Sequence, residues 1–279
     1  MPTASESGRS VASRLLEVMF AFRPGHDCLS LADLTRRTGM PHATARRLVQ
    51  ELLAAGVLEQ TDQGKYVVGL KVWELGTRAP RSMPLRAAAL PFMEDLHAAL
   101  RQHVQLAVRE GLEAVVVERM SNPKAVGLVS QVGGRLPLHS SGVGKVLLAH
   151  GGAELFDRVA TERLRAYTPA TITDPEKLRG DLAECRRTGF AVVREETSVS
   201  TQSVAVPVFG ATGEVIAALS VVVAAGTVNL ASVVPALVAA GRGISRGMGG
   251  CRSISTPSAI PVDPVVPIVR RRGQRAAQP

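Results

Sequence analysis

The chain has 279 residues, of which 46% are hydrophobic, and its formal net charge is +9. This length and apolar content predict two domains of ordinary size, each with its own core. The sequence contains no run of 18 apolar residues and no apolar leader behind its polar start MPTASESGRS, so we expect a cytoplasmic protein with no membrane partner.

Cysteine content and charge distribution limit the possible classes further. Cys28, Cys185 and Cys251 are odd in number and far apart, which argues against a disulfide framework and against a zinc site of the CxxC type. The positive charge favours an acidic partner. However, residues 249–279 hold five basic residues and one acidic residue, so +4 of the +9 lies in this tail. A DNA-binding function must therefore rest on a motif.

The first elements along the chain predict a helical domain. Residues 1–8 are polar and we expect them to be disordered, and apolar residues at helical spacing from Val11 to Met19 predict a first helix. Residues 29–53 then predict two helices around a tight turn. Ser30 followed by Asp33 is typical of a capping box, while Gly39 would end the first of the pair.

The second helix of this pair has the composition of a DNA-reading helix. Its apolar residues fall on one face, which leaves the arginines on the other. Arginine pairs with guanine edges, glutamine pairs with adenine, and a hydroxyl or a helix N-terminus can hold a phosphate. An ordinary helix pair with solvated arginines would show the same pattern. The candidate DNA-binding residues of the pair are Arg36, Arg37, His42, Ala43, Thr44, Arg46, Arg47 and Gln50.

A hairpin pattern follows the helix pair. The stretch VLEQTDQGKYVVGL alternates across a DQG turn and predicts strands at residues 57–58 and 66–70. Two helices followed by a hairpin are typical of a winged helix, which we assign to residues 9–70. Lys65 at the tip is placed to touch the phosphate backbone. Residues 71–82 predict a short connecting helix, with Trp73 as its anchor.

The remaining sequence predicts an α+β domain over residues 83–248. It begins with a long helix at residues 83–102, after which the apolar period changes from 3.6 to 2. Strands and helices then occur in separate runs, which indicates an antiparallel sheet flanked by helices. The runs are strands at 103–110, 112–120 and 125–132, helices at 140–150, 153–160 and 174–189, strands at 190–196, 203–210 and 214–223, and a helix at 230–248. Residues 249–279, a basic and Pro-rich tail, are expected to be disordered.

Three stretches resemble the isocitrate lyase regulator (IclR) family of bacterial transcription factors, over about residues 9–248. They are LADLTRRTGMPHATARRLVQEL, VGGRLPLHSSGVGKVLLA and YTPATITDPEKLRGDLAECRRTGFAVVREE. The resemblance implies an N-terminal winged helix-turn-helix joined by a helical linker to a GAF-like effector domain. It also implies a homodimer or homotetramer that binds a double-stranded DNA operator. Such proteins control catabolic or secondary-metabolic operons in response to small, often acidic, metabolites.

A candidate effector cavity lies where the sheet meets the stretch GGRLPLHSSGVGK. A helix beginning near Ser140 and Ser141 would aim free backbone N–H groups and hydroxyls at the mouth of a cavity, which suits a carboxylate. Alternatively, the glycines only permit close packing of helix on sheet. The helix start and the family resemblance together give as effector-binding positions Leu128, Leu136, Ser141, Gly142, Val143, Val193, Thr201, Ser203, Ser220 and Val222.

Two departures from the family pattern bear on the ligand. The family often carries an aspartate at the position of Val193, and a Gly-x-Arg-Cys-like run where this chain has STQS at residues 200–203. Valine removes an acceptor and lowers the cost of burying apolar ligand surface. The assigned positions also carry no lysine or arginine. We therefore expect a monocarboxylic acid with an aromatic or branched aliphatic body, bound with about micromolar affinity.

An enzymatic function would have to draw on His139, Ser140 and Ser141, with Glu195 or Glu196 nearby. Adjacent His and Ser side chains at one helix start point apart, which does not suit a nucleophile and its base. We therefore expect neither catalytic residues nor a cofactor.

Two further alternatives concern metals and architectural proteins. His97, His103 and His150 are scattered along the chain, so we interpret them as surface or core residues and expect no metal site. A constitutive architectural DNA-binding protein without an effector remains the alternative to a ligand-responsive regulator, although that class has no need of a large second domain.

Overall fold

The computed structural model describes residues 10–80, 82–122, 125–127, 130–162 and 164–250. The predicted disordered ends, residues 1–8 and 249–279, lie outside these ranges except for Gly249 and Gly250. Gly249 forms an antiparallel bridge with Gly210, and the Gly250 amide donates to the Ser245 carbonyl at 2.7 Å. The described fold therefore continues two residues past the expected start of the tail.

The N-terminal domain is a winged helix. Its helices pack around a single apolar cluster, and its two short strands pair antiparallel to form the wing. The elements are α1 (Val11–Phe20), α2 (Leu31–Thr38), α3 (His42–Ala54), β1 (Leu58–Gln60) and β2 (Tyr66–Val68). The second wing strand is shorter than predicted because Leu70 already begins the next helix.

Local sequence determines the turn between α2 and α3. The Ser30 amide donates to the Asp33 carboxylate at 3.0 Å, and the Asp33 amide donates to the Ser30 hydroxyl at 3.1 Å, which completes the expected capping box. Gly39 ends α2 with a φ of 67°, a left-handed conformation that glycine adopts without a Cβ penalty. Pro41 then precedes α3 directly. These three features set the direction in which α3 leaves the turn.

Helices α4 (Leu70–Gly76) and α5 (Met83–Leu100) connect the two domains. The prediction that Trp73 anchors this connection is wrong for the single chain. Its side chain is 66% exposed and belongs to none of the three buried apolar clusters. Leu70 and Leu75 on the same helix are also exposed. Helix α4 thus leaves large apolar side chains in contact with solvent.

The C-terminal domain is built on a six-stranded antiparallel sheet with the strand order β5-β4-β3-β8-β7-β6. The strands are β3 (His103–Glu110), β4 (Glu113–Met120), β5 (Arg135–Pro137), β6 (Ala191–Arg194), β7 (Thr201–Phe209) and β8 (Val215–Ala224). Three strands, three helices, three strands and a final helix follow one another in the chain, so the predicted α+β class is confirmed.

One predicted strand is wrong. Residues 125–127 and 130–132 form no strand, and the third strand of the first run is instead β5. Backbone carbonyls in this segment accept from side chains: the Val126 carbonyl from His103 at 2.6 Å, and the Ser130 carbonyl from Arg119. These side-chain contacts take the place of a strand ladder, and the described residues of the segment form a loop despite their apolar sequence.

Helices cover both faces of the sheet. On one face, α5 and α9 (Leu230–Gly247) share an apolar cluster with the strands. On the other, the cluster is shared with α6 (Gly142–Ala149), α7 (Ala153–Thr161) and α8 (Pro175–Thr188). Strands β7 and β8 are therefore buried on both sides, which explains their nearly continuous apolar sequences. In the described ranges no helix is both long and apolar enough to cross a membrane.

Helix α6 approaches the sheet closely because the facing residues are small. A Cβ added to Gly144 would lie 2.3 Å from the Pro137 carbonyl oxygen, and one added to Gly142 would lie 2.7 Å from the Ser203 hydroxyl. The close-packing role that these glycines could have is thus observed. The same contact brings the first turn of α6 against Ser203 on β7.

Candidate DNA-reading surface and effector cavity

Helix α3 presents a polar face to solvent. Its apolar residues are buried in the domain core, which turns both arginines outward. Neither Arg46 nor Arg47 contacts a carboxylate in the part of the chain that the structure describes. The exposed residues of this face are His42, Ala43, Arg46, Arg47 and Gln50, with Thr44 half-buried among them. The arrangement leaves two uncommitted guanidinium groups on one side of the helix.

The two arginines of α2 differ from those of α3. The Arg36 guanidinium is exposed and lies 2.5 Å from the Asp33 carboxylate. Arg37 is half-buried, and its guanidinium donates to the Ala21 carbonyl at 2.8 Å. This contact ties α2 to the end of α1. Arg37, which the sequence placed outward among the DNA-binding candidates, is therefore committed to the fold.

Lys65 lies exposed at the tip of the wing. The tip closes through the Thr61 amide, which donates to the Lys65 carbonyl at 2.8 Å, and through Gly64, whose φ is 73°. The wing therefore holds Lys65 at its outer end. Contact of this lysine with DNA stays a prediction.

A cavity of about 430 Å³ lies between the sheet and the first turn of α6. Nine of the ten residues assigned to effector binding line it, and the tenth, Leu128, lies outside the described residues. The nine are Leu136, Ser141, Gly142, Val143, Val193, Thr201, Ser203, Ser220 and Val222. The structure thus brings the assigned positions together, while their role in ligand binding stays a prediction.

Sequence reasoning missed several residues that also line the cavity, among them Gln105, Arg135 and Tyr167. Gln105 had a detectable signal, since it is a polar residue between the apolar residues Val104 and Leu106 of β3. Arg135 and Tyr167 come from the edge of the sheet and from a loop, and no periodicity marks them. Arg135 adds a cation that the assigned positions lack, but its guanidinium lies 3.0 Å from the Glu113 carboxylate, which also lines the cavity.

Two serine hydroxyls that line the cavity are free to form hydrogen bonds with a ligand. Ser203 and Ser220 are buried, and neither hydroxyl has a hydrogen-bond partner among the described residues. Gln105 beside them donates from its side-chain amide to the Ser130 hydroxyl at 2.5 Å. Buried hydroxyls are normally satisfied, so these two are available to a ligand or to water.

The first turn of α6 forms a second polar wall. Ser141 caps the helix: its hydroxyl accepts from the Gly144 amide at 3.1 Å and donates to the Pro137 carbonyl at 2.6 Å. Gly142 and Val143 follow the cap and line the cavity. Amides in the first turn of a helix have no intrahelical acceptor, and they carry the positive end of the helix dipole. This wall therefore favours an anionic group.

The aromatic side of the cavity is formed by Tyr167. Its ring lies 5.9 Å from the His139 ring, and the Arg165 guanidinium lies 5.2 Å from its centre. His139 donates through Nε2 to the Arg165 carbonyl at 3.0 Å, and burial lowers the pKa of its imidazole. His139 thus contacts a backbone carbonyl and neither of the serines that follow it. The contact of nucleophile and base that an enzyme would need is absent from this cluster.

Three further histidines are also bonded to the backbone. Ring nitrogens of His97, His103 and His150 lie 2.9, 2.6 and 3.0 Å from carbonyl oxygens. Within the described ranges, no three His, Cys, Asp or Glu side chains are grouped closely enough to hold a metal ion.

Both domains match established protein families. Residues 11–62 match the family described as the IclR helix-turn-helix domain, and residues 77–246 match the C-terminal domain of the bacterial transcriptional regulator IclR. The chain belongs to the IclR family. It is therefore a transcriptional regulator with an N-terminal DNA-binding domain and a C-terminal effector-type domain.

Curated members of the IclR family match over most of their length. The chain is 32% identical to the HTH-type transcriptional regulator XynR of Escherichia coli over 85% of this chain and 96% of XynR. It is 30% identical to the Pca regulon regulatory protein of Pseudomonas putida over 85% of this chain and 84% of that protein. Both relatives are regulators, which is a non-enzymatic role.

Solved IclR structures share the whole architecture. An IclR homologue from Microbacterium hydrocarbonoxydans, crystallised in complex with 4-hydroxybenzoate, superposes with a TM-score of 0.82 at 36% identity and covers 86% of this chain and 99% of its own. HmgR of Pseudomonas aeruginosa superposes with a TM-score of 0.72 at 28% identity over 85% of this chain and 98% of its own.

Proposed function

We propose that this IclR-family protein reads a palindromic operator as a homodimer or homotetramer and controls a catabolic or secondary-metabolic operon in response to a small organic acid. The observation that carries the proposal is the combination, in one chain, of an uncommitted cationic face on α3 and a cavity of about 430 Å³. That volume is suited to a small metabolite.

Operator reading is assigned to α3, with Arg46, Arg47 and Gln50 on base edges and Lys65 on the backbone. A single winged helix reads too few base pairs to be selective, so two half-sites are needed. The exposed Trp73 and Leu75 of α4 support a second copy near the DNA-binding end, because exposed large apolar side chains mark interaction surfaces.

The proposed effector is a monocarboxylic acid with an aromatic or branched aliphatic body. The first turn of α6 suits its carboxylate, and the Ser203 and Ser220 hydroxyls suit further acceptors. Val193 and Val222 form an apolar wall, and the Tyr167 ring can stack on an aromatic body. The relative that carries 4-hydroxybenzoate is 36% identical to this chain, which supports this class of ligand.

Two connections would carry the effector signal to the DNA-binding domain. One is the connection over residues 71–102, which consists of the linker, residues 71–82, and the first helix of the effector domain, α5. The other is the turn between α1 and α2, where Pro24 lines the cavity and a Cβ at Gly25 would lie 4.0 Å from the Gln131 amide. A ligand that favours one placement of this turn changes the distance between the two winged-helix domains of a dimer. It does so without altering α3 itself.

The test begins by selecting an operator from random duplexes with the full-length protein. Its release is then followed across a panel of acids that includes 4-hydroxybenzoate, a small dicarboxylate and a sugar phosphate. We expect a palindromic sequence and a response to aromatic or branched monocarboxylates. If none of the panel alters operator binding or thermal stability, the chain acts as a constitutive architectural DNA-binding protein.

A further inference from the structure

Helix α6 carries a charged side chain that the cavity does not use directly. Lys145 is fully buried, and its ammonium nitrogen lies 2.5 Å from a Glu196 carboxylate oxygen and 2.7 Å from an Asp181 oxygen on α8. Burying a lysine is costly unless its partners are well placed, and apolar replacements of such ion pairs often leave stability unchanged. Packing alone therefore does not account for a lysine at this position.

Glu196 belongs to the segment between β6 and β7, residues 195–200, which we call the roof segment. Thr197 and Ser198 of this segment line the cavity. Glu195 and Ser200 near its ends have φ angles of 55° and 71°, a left-handed conformation that side chains other than glycine rarely adopt. Such residues persist only where surrounding contacts hold them, and they cluster at ligand-binding positions.

Several contacts hold the roof segment, and they come from two sides. Thr168 and Thr171 donate to the Glu195 and Glu196 carbonyls, each at 2.6 Å, from the outer loop. On the inner side, Thr197 donates to the Ser140 carbonyl at 2.7 Å. The ion pair of Glu196 with Lys145 is the charged contact of the inner side, and it joins the roof segment to the helix whose first turn forms the opposite cavity wall.

We propose that Lys145 is a positioning residue of the effector site: its ion pair with Glu196 holds the roof segment so that Thr197 and Ser198 face the cavity. This inference rests on the proposed function, because it treats the cavity as the effector site. Lys145 itself touches no ligand. It sets the distance between two walls, the first turn of α6 and the roof segment, and the same acid contacts both.

The chain offers a matched control for this role. Asp181 contacts the same ammonium group but lies on α8, outside the roof segment, and is one-third exposed. Asp181→Asn therefore removes the negative charge of one partner of Lys145 while leaving the roof contact in place. Glu196→Gln keeps an oxygen that can accept from Lys145, whereas the double variant Lys145→Met/Glu196→Gln removes the link and leaves no buried, unpaired carboxylate at position 196.

The experiment measures amide hydrogen exchange in the full-length protein without ligand. In the double variant we expect the roof segment to exchange about tenfold or more faster than in the wild type, with α8 and β7 unchanged. Glu196→Gln should show a smaller effect, and Asp181→Asn none. A roof segment that exchanges at the wild-type rate overturns the proposal. So does faster exchange across the whole domain, since the ion pair would then support the fold in general.

Calorimetric titration with 4-hydroxybenzoate gives a second readout on the same proteins. We expect the dissociation constant to rise about tenfold in the double variant and to stay unchanged in Asp181→Asn. Equal affinity in the double variant and the wild type contradicts the positioning role. If the wild type binds neither this acid nor others of its class, the proposed function fails, and the exchange measurement alone decides the role of Lys145.

Discussion

The candidate DNA-reading surface and the candidate effector cavity are suited to anions by different physical means. On α3, the arginines are exposed and lie on a helix whose direction is set by hydrogen-bonded caps. In the cavity, the candidate anion site has backbone amides and neutral hydroxyls, and Arg135, which also lines the cavity, is paired with Glu113. Exposed charges act over distance and are screened by salt, whereas buried hydrogen bonds act at contact and are not.

Two carboxyl groups, Asp33 in the winged helix and Glu196 in the effector domain, have pKa values shifted in opposite directions. Hydrogen bonds from Ser30, with a further one from Arg36, lower the pKa of Asp33 to about 2. Burial raises the pKa of Glu196, and the charge of Lys145 opposes that rise. The winged helix thus uses an ionised carboxylate on its surface as a cap, while the effector domain holds one inside by pairing it.

The largest expected effect is a loss of operator binding with no change in acid binding. Replacing Arg46 and Arg47 together by Ala should weaken operator binding about 1000-fold, because each arginine contact with a guanine edge contributes about 1–3 kcal/mol of discrimination. Acid binding, measured by calorimetry, should not change. Arg187→Ala on α8, another exposed arginine, is the control. An unchanged footprint in the double variant would show that α3 is misassigned.

A substitution in the cavity should weaken acid binding and leave operator binding intact. Val193 is buried and pairs with Ser203 in the sheet, so Val193→Asp places a carboxylate beside the proposed anion site. We expect monocarboxylates to bind about 10- to 100-fold more weakly, since a like charge at contact distance disfavours the anion. Operator binding without ligand should be preserved. If the ranking of ligands is the same in both proteins, the pocket interpretation is wrong.

The salt dependence of affinity should also differ between operator binding and acid binding. Lys65→Ala removes one proposed phosphate contact, so the slope of log affinity against log salt concentration for operator binding should decrease by about 1. Acid binding should vary little over the same salt range. A slope equal to that of the wild type would place the wing tip away from the DNA backbone.

The smallest effect concerns the capping box. Because the pKa of Asp33 is lowered from 3.8 to about 2, its stabilising contribution is present above about pH 4 and is lost as the pH falls towards 2. Carboxyl chemical shifts followed by NMR should give an Asp33 midpoint near 2. A midpoint near 4 would mean that the cap does not persist in solution.

How far the sequence predicts each region depends on the range of the interactions involved. The turn between α2 and α3 is encoded within a few residues by Ser30, Asp33 and Gly39, and its helices were predicted to within a residue or two. Arg37 was misplaced because its partner, the Ala21 carbonyl, is 16 positions away. Helical periodicity cannot identify such a contact.

The cavity depends on contacts between distant segments. Nine of its ten assigned positions came from the family resemblance and Ser141 from the helix start, and periodicity alone would not have grouped Val143 with Val222. Residues 125–127 and 130–132 were misread as parts of a strand because apolar content does not show where backbone hydrogen bonds go. The roof segment was missed as a unit for the same reason, since the pairing of Lys145 with Glu196 joins residues 51 positions apart.

The most direct test of the account measures operator affinity as a function of acid concentration in the full-length protein, in parallel with Val193→Asp. We predict that 4-hydroxybenzoate or a related monocarboxylate changes the operator dissociation constant of the wild type by about 5- to 150-fold, the usual range of allosteric coupling. Val193→Asp should need about 10- to 100-fold more acid for the same change, because it binds the anion more weakly. An operator affinity that stays constant in the wild type while calorimetry shows the acid bound would contradict the claim that this cavity controls DNA reading.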